Sequence, residues 1–368
     1  MMYSFGIITY RYNLEPIKTI RMIKNKNQNN KNQNQTFKEK INNSSFYDSV
    51  INDEISFLKT KLSEFKPSSI RKQILEDYII KDYEIRRYKE NNFNCFGDVE
   101  ILETKFYNIV NRGVYSNRNS SKLFIYFQGH GGNPCDFDYF ESLNSSLKNM
   151  DILSFSMFGL GLNEMEKIGF PIKLPGHKKD HYFYNQDFSR FGGNHDIIKF
   201  FHDKNNPNLE PLSLFISSPY QIINEIIRSK NYEEIIISGI SGGGWYSTIL
   251  SGLIQEIDRL YSFNGTLPLV YRIGNDNRGD FEQIYSQLWE EVDYYTFYLL
   301  SIFDDENNPT RLSYHIYSNE DICCFSSPEI DYFKQTIDSL DTELLKVKIF
   351  EKTEHEIDDE WLLNQITQ

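Results

Sequence analysis

A serine flanked by glycines is the first group in this chain that could do covalent chemistry. The segment Gly239–Gly243 follows a run of isoleucines, carries Ser241 at its centre and precedes a stretch of small and apolar residues. A strand, a tight turn with a serine and a helix, in that order, form a nucleophile elbow. Gly239 and Gly243 fit this turn because side chains there would clash. An ordinary turn is the alternative, but the flanking pattern favours Ser241 as the nucleophile of an acyl transfer.

A serine hydroxyl is a weak nucleophile, so it needs a base within hydrogen-bond reach and an acid that orients the base. His355 follows the last predicted strand, in a loop that could bring the imidazole over Ser241. Asp321 follows the strand before that one and is the expected acid. Glu320 is the close alternative, and the pair Asp304–Asp305 is a more distant one.

Charge that develops on a carbonyl oxygen needs N–H donors that already point at it. The predicted strand 122–127 leads into a glycine-rich loop with His130, Gly131 and Gly132. Glycines at 131 and 132 would let the backbone approach a ligand closely. We expect the amides of Gly132 and Gly242 to form an oxyanion hole, with His130 bracing the loop. A plain strand-ending turn is the alternative.

Continuous apolar runs predict the strands that would position these groups. Most of the runs are separated by helical stretches, which indicates a mostly parallel sheet covered by helices on both faces. The first two runs mix polar and apolar residues and suit an antiparallel edge. Ser241 and the His130 loop would then lie at the carboxyl ends of strands, where ligands of such sheets bind. The runs are residues 99–106, 109–115, 122–127, 151–157, 234–238, 312–317 and 345–350.

Composition shifts along the chain predict three parts. Residues 1–45 contain an Asn/Gln/Lys tract that cannot bury apolar surface, so we expect disorder there. Residues 46–97 have helical spacing of apolar residues and are predicted to form a helical extension packed on the main domain. Residues 98–368 carry the α/β pattern, with a lid-like excursion around 158–220 that is rich in aromatic residues.

Composition and charge narrow the classes of function. The 368 residues have 39% apolar content and a net charge of −13. The negative charge argues against nucleic acid as a partner, since phosphates would be repelled. No apolar run approaches the roughly 18 residues of a membrane-spanning helix, and the first residues make a poor signal peptide. We therefore expect no integral membrane segment, with the cytoplasm as the default location.

Four histidines fall in one polar stretch of the predicted excursion. Two of them are four residues apart, a spacing that suits a metal site on a helix, but the neighbouring Pro175-Gly176 favours a solvated loop. These histidines are His177, His181, His195 and His202. We predict no metal and no cofactor.

Two adjacent cysteines, Cys323 and Cys324, lie beside the proposed acid Asp321. A reactive thiol or a vicinal disulfide is one interpretation. Free cysteines behave more often as small buried hydrophobic residues, so we expect these two to be buried.

Taken together, these motifs resemble the α/β-hydrolase superfamily over residues 98–366. The resemblance rests on Gly129-His130-Gly131-Gly132, Gly159-Leu160-Gly161, Gly239-Ile240-Ser241-Gly242-Gly243, Asp321 and His355, in that chain order. It implies a central twisted sheet of about eight strands and a Ser-Asp-His triad without a cofactor.

A triad of this kind predicts a serine hydrolase that cleaves a carboxylic ester through an acyl-enzyme. The expected substrate is a small-molecule or lipid-like ester. An amidase or an acyltransferase would use the same groups. A non-catalytic binding module with this fold is the alternative from another class, and the occupied triad positions count against it.

Overall fold

A computed structural model describes most of the α/β region and the helices that precede it. Gly131, Gly132, Cys95, Cys135 and the four histidines of the excursion lie outside the described residues, as do residues 1–43. For residues 44–47 and 281 only the backbone is described. The described residues are 44–81, 83–89, 99–106, 109–130, 147–163, 210–272, 279–284 and 292–367.

Nine strands of the described residues form one sheet, in the order β1-β2-β3-β5-β4-β6-β7-β8-β9. Strands β4 to β9 run parallel to one another, and β1, β2 and β3 add an antiparallel edge. The strands are β1 Glu84–Lys89, β2 Glu100–Phe106, β3 Ile109–Ser116, β4 Lys122–Phe127, β5 Asp151–Phe155, β6 Glu234–Ile240, β7 Arg259–Phe263, β8 Leu312–Ser318 and β9 Leu345–Phe350. The mostly parallel sheet with an antiparallel edge is confirmed.

Alternate residues of the central strands fill two separate cores, one on each face of the sheet. Leu123, Ile125 and Phe127 of β4 belong to the larger core, whereas Phe124 and Tyr126 belong to the smaller one. Side chains of a strand alternate between faces, so a continuous apolar run is the pattern that a strand buried on both sides requires.

Helices cover both faces. Helices α1 to α4, α6 and α7 contribute to the larger core, and α8 packs against the smaller one. The helices are α1 Ser44–Ser63, α2 Pro67–Tyr78, α3 Ser213–Ser229, α4 Gly242–Leu253, the single turn α5 Phe281–Ile284, α6 Tyr294–Leu300, α7 Glu329–Asp338 and α8 Asp359–Thr367. None of the described helices is long and apolar enough to cross a membrane.

The boundary expected between a helical extension and the α/β domain lies elsewhere. Residues 84–89, which we expected within the helical extension 46–97, form β1 and pair with β2. This edge strand is mostly exposed, so it lacks an apolar run. Strand β7 was not predicted either, because Ser262 interrupts its short apolar run. At the other boundary, α3 begins at Ser213, inside the range expected for the excursion, and Leu214 and Phe215 are buried in the larger core.

A buried arginine ties the N-terminal helices to the sheet domain. Arg71 of α2 donates hydrogen bonds to the carbonyl oxygens of Gly252 at 2.8 Å, Leu300 at 3.1 Å and Phe303 at 2.8 Å. It also pairs with the carboxylate of Asp305. These carbonyls lie at or just beyond the ends of α4 and α6, where helices leave acceptors without intrahelical partners.

Candidate active site

Strand β6 runs directly through Ser241 into helix α4, as an elbow requires. Ser241 has φ 57° and ψ −125°, a left-handed conformation that only a constrained turn imposes on a serine. Its amide donates a hydrogen bond to the carbonyl of Phe263 at 2.8 Å, and its carbonyl accepts one from the amide of Trp245 at 3.0 Å. The serine is 7% exposed, so the hydroxyl lies at a nearly closed surface.

The elbow has no room for side chains at its glycines. A Cβ on Gly239 would lie 2.4 Å from the carbonyl oxygen of Gly243, and one on Gly243 would lie 2.2 Å from that of Phe127. The motif did not indicate a further close contact, between Gly244 and Gly265, which follows β7. A Cβ on either glycine would lie less than 3.0 Å from the backbone of the other. The serine turn is therefore wedged between strands β4 and β7.

The structure brings Asp321 and His355 together. Oδ2 of Asp321 lies 2.6 Å from Nδ1 of His355. Oδ1 of Asp321 accepts hydrogen bonds from the amides of Cys323 at 2.7 Å and Cys324 at 3.1 Å. The Asp321 side chain is fully buried, whereas that of His355 is 21% exposed. This leaves Nε2 as the ring nitrogen that can exchange protons with a substrate or a nucleophile.

The other acids considered for this role lie elsewhere. Glu320 is exposed. Asp304 accepts hydrogen bonds from the amides of Glu306 and Asn308 in its own turn, and Asp305 pairs with Arg71. Both of these aspartates are therefore engaged in structural contacts.

The Cys324 thiol lies between the serine and the histidine. Its Sγ lies 4.0 Å from Nε2 of His355, and the Ser241 side chain is near enough to exert a small lowering effect on the pKa of the thiol. Burial and the neighbouring Cys323 raise the pKa of the Cys324 thiol well above its ordinary value. A protonated thiol is a poor nucleophile, so Ser241 remains the candidate.

The expectation that both cysteines are buried is wrong for Cys323, which is exposed, and Cys324 is only partly buried. The turn after Asp321 directs the Cys323 side chain outwards, because the amides of Cys323 and Cys324 are held on the Asp321 carboxylate.

No direct hydrogen bond joins Ser241 to His355 among the described residues. In serine hydrolases without substrate this contact is often long and tightens when substrate binds.

His130 lies beside the first turn of helix α4. A Cβ added to Gly242 would lie 2.9 Å from Cε1 of His130 and 2.4 Å from Met157. Nε2 of His130 lies 2.7 Å from Oδ2 of Asp280 and 3.8 Å from Oε1 of the buried Glu282. The position of Gly242 at the start of a helix makes its amide one of the donors without an intrahelical acceptor.

Sequence reasoning missed Asp280 and Glu282, because no spacing connects them with His130. Gly131 and Gly132, the rest of the expected oxyanion loop, lie outside the described residues. The pairing of Gly132 with Gly242 therefore stays a prediction.

Comparison with known proteins identifies the fold. No protein-family model matches the chain, and no curated protein matches it. Acetyl xylan esterase 1 from Thermoanaerobacterium sp. JW/SL YS485 is similar in structure at 14% identity and a TM-score of 0.51, over 84% of this chain and 96% of that one. An acetyl xylan esterase from Paenibacillus sp. R4 has 12% identity and a TM-score of 0.49, over 84% and 97%. At such identities the likeness to the first enzyme shows the fold alone: this protein has the α/β-hydrolase fold.

Proposed function

We propose that the protein is a serine hydrolase that cleaves a carboxylic ester through an acyl-enzyme. The observation that carries the proposal is the Asp321–His355 pair, 2.6 Å apart, beside a serine held at φ 57°. A strained serine turn and a buried carboxylate on a histidine are separate local features. Cys324 lies close to both of them, with Sγ 4.0 Å from Nε2 of His355 and the Ser241 side chain near enough to affect the pKa of its thiol, and nucleophilic catalysis explains why the two features lie together.

The proposed reaction follows from the positions of these groups. Nε2 of His355 takes the hydroxyl proton as Ser241 attacks the carbonyl carbon, and it then gives that proton to the leaving alcohol. Asp321 accepts the Nδ1 hydrogen, which fixes the tautomer and stabilises the imidazolium. The Gly242 amide, with that of Gly132, stabilises the oxyanion. Water, activated by the same histidine, hydrolyses the acyl-enzyme.

An ester is the proposed substrate because a similar structure, with a TM-score of 0.51, is an acetyl xylan esterase. That enzyme's name supports a carboxylic ester and leaves the acyl and alcohol groups of this substrate open. A small-molecule or lipid-like ester fits the proposal. Amide cleavage and acyl transfer use the same groups and are the alternatives, as is a non-catalytic binding role.

Labelling with a fluorophosphonate probe tests the nucleophile. We expect the wild-type protein to be labelled and Ser241→Ala to lose the label. Ser247→Ala is a matched control, since Ser247 lies in the same helix and its hydroxyl donates to the carbonyl of Gly243. Absence of wild-type labelling, or equal labelling of Ser241→Ala, would contradict the proposal.

Turnover of p-nitrophenyl esters of graded chain length then tests the reaction class. We expect hydrolysis that depends on Ser241, with one chain length preferred. Parallel p-nitroanilides separate an esterase from an amidase, and added alcohols separate hydrolysis from acyl transfer. Preference for the anilides or for transfer would replace the ester-hydrolase assignment by that alternative.

A further inference from the structure

Three metal-ligating side chains converge beside Ser241. The Sγ atoms of Cys323 and Cys324 and a ring nitrogen of His355 all lie within 4.8 Å of one another. The two sulfur atoms are 2.8 Å apart, and Sγ of Cys324 is 4.0 Å from Nε2 of His355. Two thiols and an imidazole are the donor set that zinc and other thiophilic ions prefer.

We propose that Cys323, Cys324 and His355 bind a thiophilic divalent cation of the zinc class, and that the bound ion blocks Ser241. The binding site stands on its own geometry. The block rests on the proposed function, since it requires that His355 act as the base.

The distances suit tetrahedral coordination after a small movement. With Zn–S near 2.3 Å and Zn–N near 2.0–2.1 Å, ligand atoms of a tetrahedral site are about 3.5–3.8 Å apart. The separation of Cys324 from His355 is within a few tenths of an ångström of this value. The two sulfur atoms must move apart by about 1 Å, and Cys323 can do so because its side chain is exposed.

Supporting contacts for the ligands are already present. Asp321 holds Nδ1 of His355 at 2.6 Å, the carboxylate–histidine arrangement that orients imidazole ligands of metals. The same carboxylate holds the backbone amides of both cysteines. A single buried side chain therefore orients the imidazole and the backbone of both cysteines, and the exposed Cys323 provides access from solvent.

Coordination would remove the groups that catalysis needs. Each thiol loses its proton to solvent as its sulfur–metal bond forms. The Nε2 lone pair of His355 goes to the metal and can no longer accept the proton of Ser241. Water or the Ser241 hydroxyl would complete the tetrahedron.

Cobalt titration of the chelator-treated full-length protein tests binding without reference to activity. We expect a thiolate-to-cobalt absorption band that Zn²⁺ displaces. Loss of a residue that only orients a metal ligand already costs about 10- to 100-fold in metal affinity. Cys323→Ser removes a ligand itself, so we expect a loss of at least about 100-fold. Cys95→Ser is the matched control and should bind as the wild type does.

Ester hydrolysis and fluorophosphonate labelling with and without Zn²⁺ test the block. The rate of each protein with Zn²⁺ is compared with the rate of the same protein without metal. The inference is supported if Zn²⁺ inhibits the wild type and Cys95→Ser but does not inhibit Cys323→Ser. Absence of the thiolate band, or equal inhibition of Cys323→Ser, overturns it. A thiolate band that depends on Cys323, in a protein that neither hydrolyses esters nor reacts with the probe, supports the metal site and overturns the proposed function.

Discussion

At the scale of single residues, Asp321 has two separate tasks. One carboxylate oxygen faces the histidine, and the other holds the backbone of the following turn. An asparagine can keep the second task through its carbonyl oxygen. It cannot keep the first, because its amide group would face Nδ1 as a donor and favour the wrong imidazole tautomer.

Asp321→Asn should therefore lower kcat strongly while the protein stays folded. In serine proteases the same exchange lowers kcat by about 10⁴-fold, and we expect a loss of that order here. Steady-state hydrolysis of a p-nitrophenyl ester measures it, with circular dichroism as the check on folding.

The neighbouring Glu320→Gln is the control for this exchange. Glu320 is exposed, so its variant should keep kcat within about twofold, as expected for a surface position. A large loss in Glu320→Gln together with a small one in Asp321→Asn would transfer the role of the acid to Glu320.

At the scale of elements, the elbow depends on how closely helix α4 approaches strands β4 and β7. Gly243→Ala would place a methyl group 2.2 Å from the carbonyl oxygen of Phe127, which is backbone that cannot rotate away. Overpacking of this kind costs about 1–3 kcal/mol, and the helix start with the Gly242 amide must shift. We expect lower stability in urea denaturation and slower labelling of Ser241.

Gly252→Ala, near the end of the same helix, is the matched control. Its nearest neighbour would be Cδ1 of Phe297 at 3.1 Å, an atom of a side chain. The gain in helix propensity is about 1 kcal/mol, which offsets the tight contact, so stability should change little. Equal effects of the two substitutions would contradict a special role of the elbow contact.

One buried side chain, that of Arg71, adds polar contacts to the apolar packing that holds the N-terminal helices on the core. Arg71 is 3% exposed, and burial lowers the pKa of its guanidinium despite the nearby Asp305. Arg71→Met would leave the Gly252 carbonyl without this donor, whereas the carbonyls of Leu300 and Phe303 keep hydrogen bonds from Arg311. A buried acceptor left without its partner costs about 1–3 kcal/mol, which urea denaturation would detect.

Lys72→Met tests whether charge alone matters at this helix. Lys72 follows Arg71 in α2, but its side chain is 75% exposed. A surface substitution there should change stability by no more than about 0.5 kcal/mol. If the two substitutions destabilise equally, the N-terminal helices do not depend on the Arg71 contacts.

At the scale of the whole molecule, sequence patterns within short segments predicted the features that such segments form by themselves, namely strands and the serine turn. Strands β2 to β6, β8 and β9 were predicted from runs that reflect their burial, and the elbow has a motif because its turn permits few residues. Strand β1 was missed because Glu84–Lys89 lies at an exposed edge. Strand β7, Arg259–Phe263, was also missed, because it is short and Ser262 interrupts its apolar run. The contacts of Arg71 and the pairing of Asp280 with His130 join distant parts of the chain, and no spacing in the sequence indicates them.

The buried histidine of the sheet makes the stability of the whole molecule depend on pH. His315 of β8 is fully buried, and its ring lies 4.2 Å from that of Tyr298. Burial lowers the pKa of His315 to about 3, whereas a histidine in the unfolded chain has a pKa near 6.5. Between these values the unfolded state binds one more proton, so stability falls as the pH decreases.

His315→Phe should remove this part of the pH dependence. The ring contact with Tyr298 is kept, and the proton-binding group is lost. From this group alone, stability of the wild type should fall by up to about 1.4 kcal/mol per pH unit below pH 6.5, which is about 2 kcal/mol between pH 6.5 and 5. Urea denaturation at both pH values measures how the free energy of unfolding of each variant changes between them. A loss of stability that the larger ring causes equally at both pH values therefore cancels.

His355→Asn, a change at a partly exposed histidine, is the control and should keep most of the pH dependence of stability. If His315→Phe keeps all of it, His315 does not account for the loss of stability in acid.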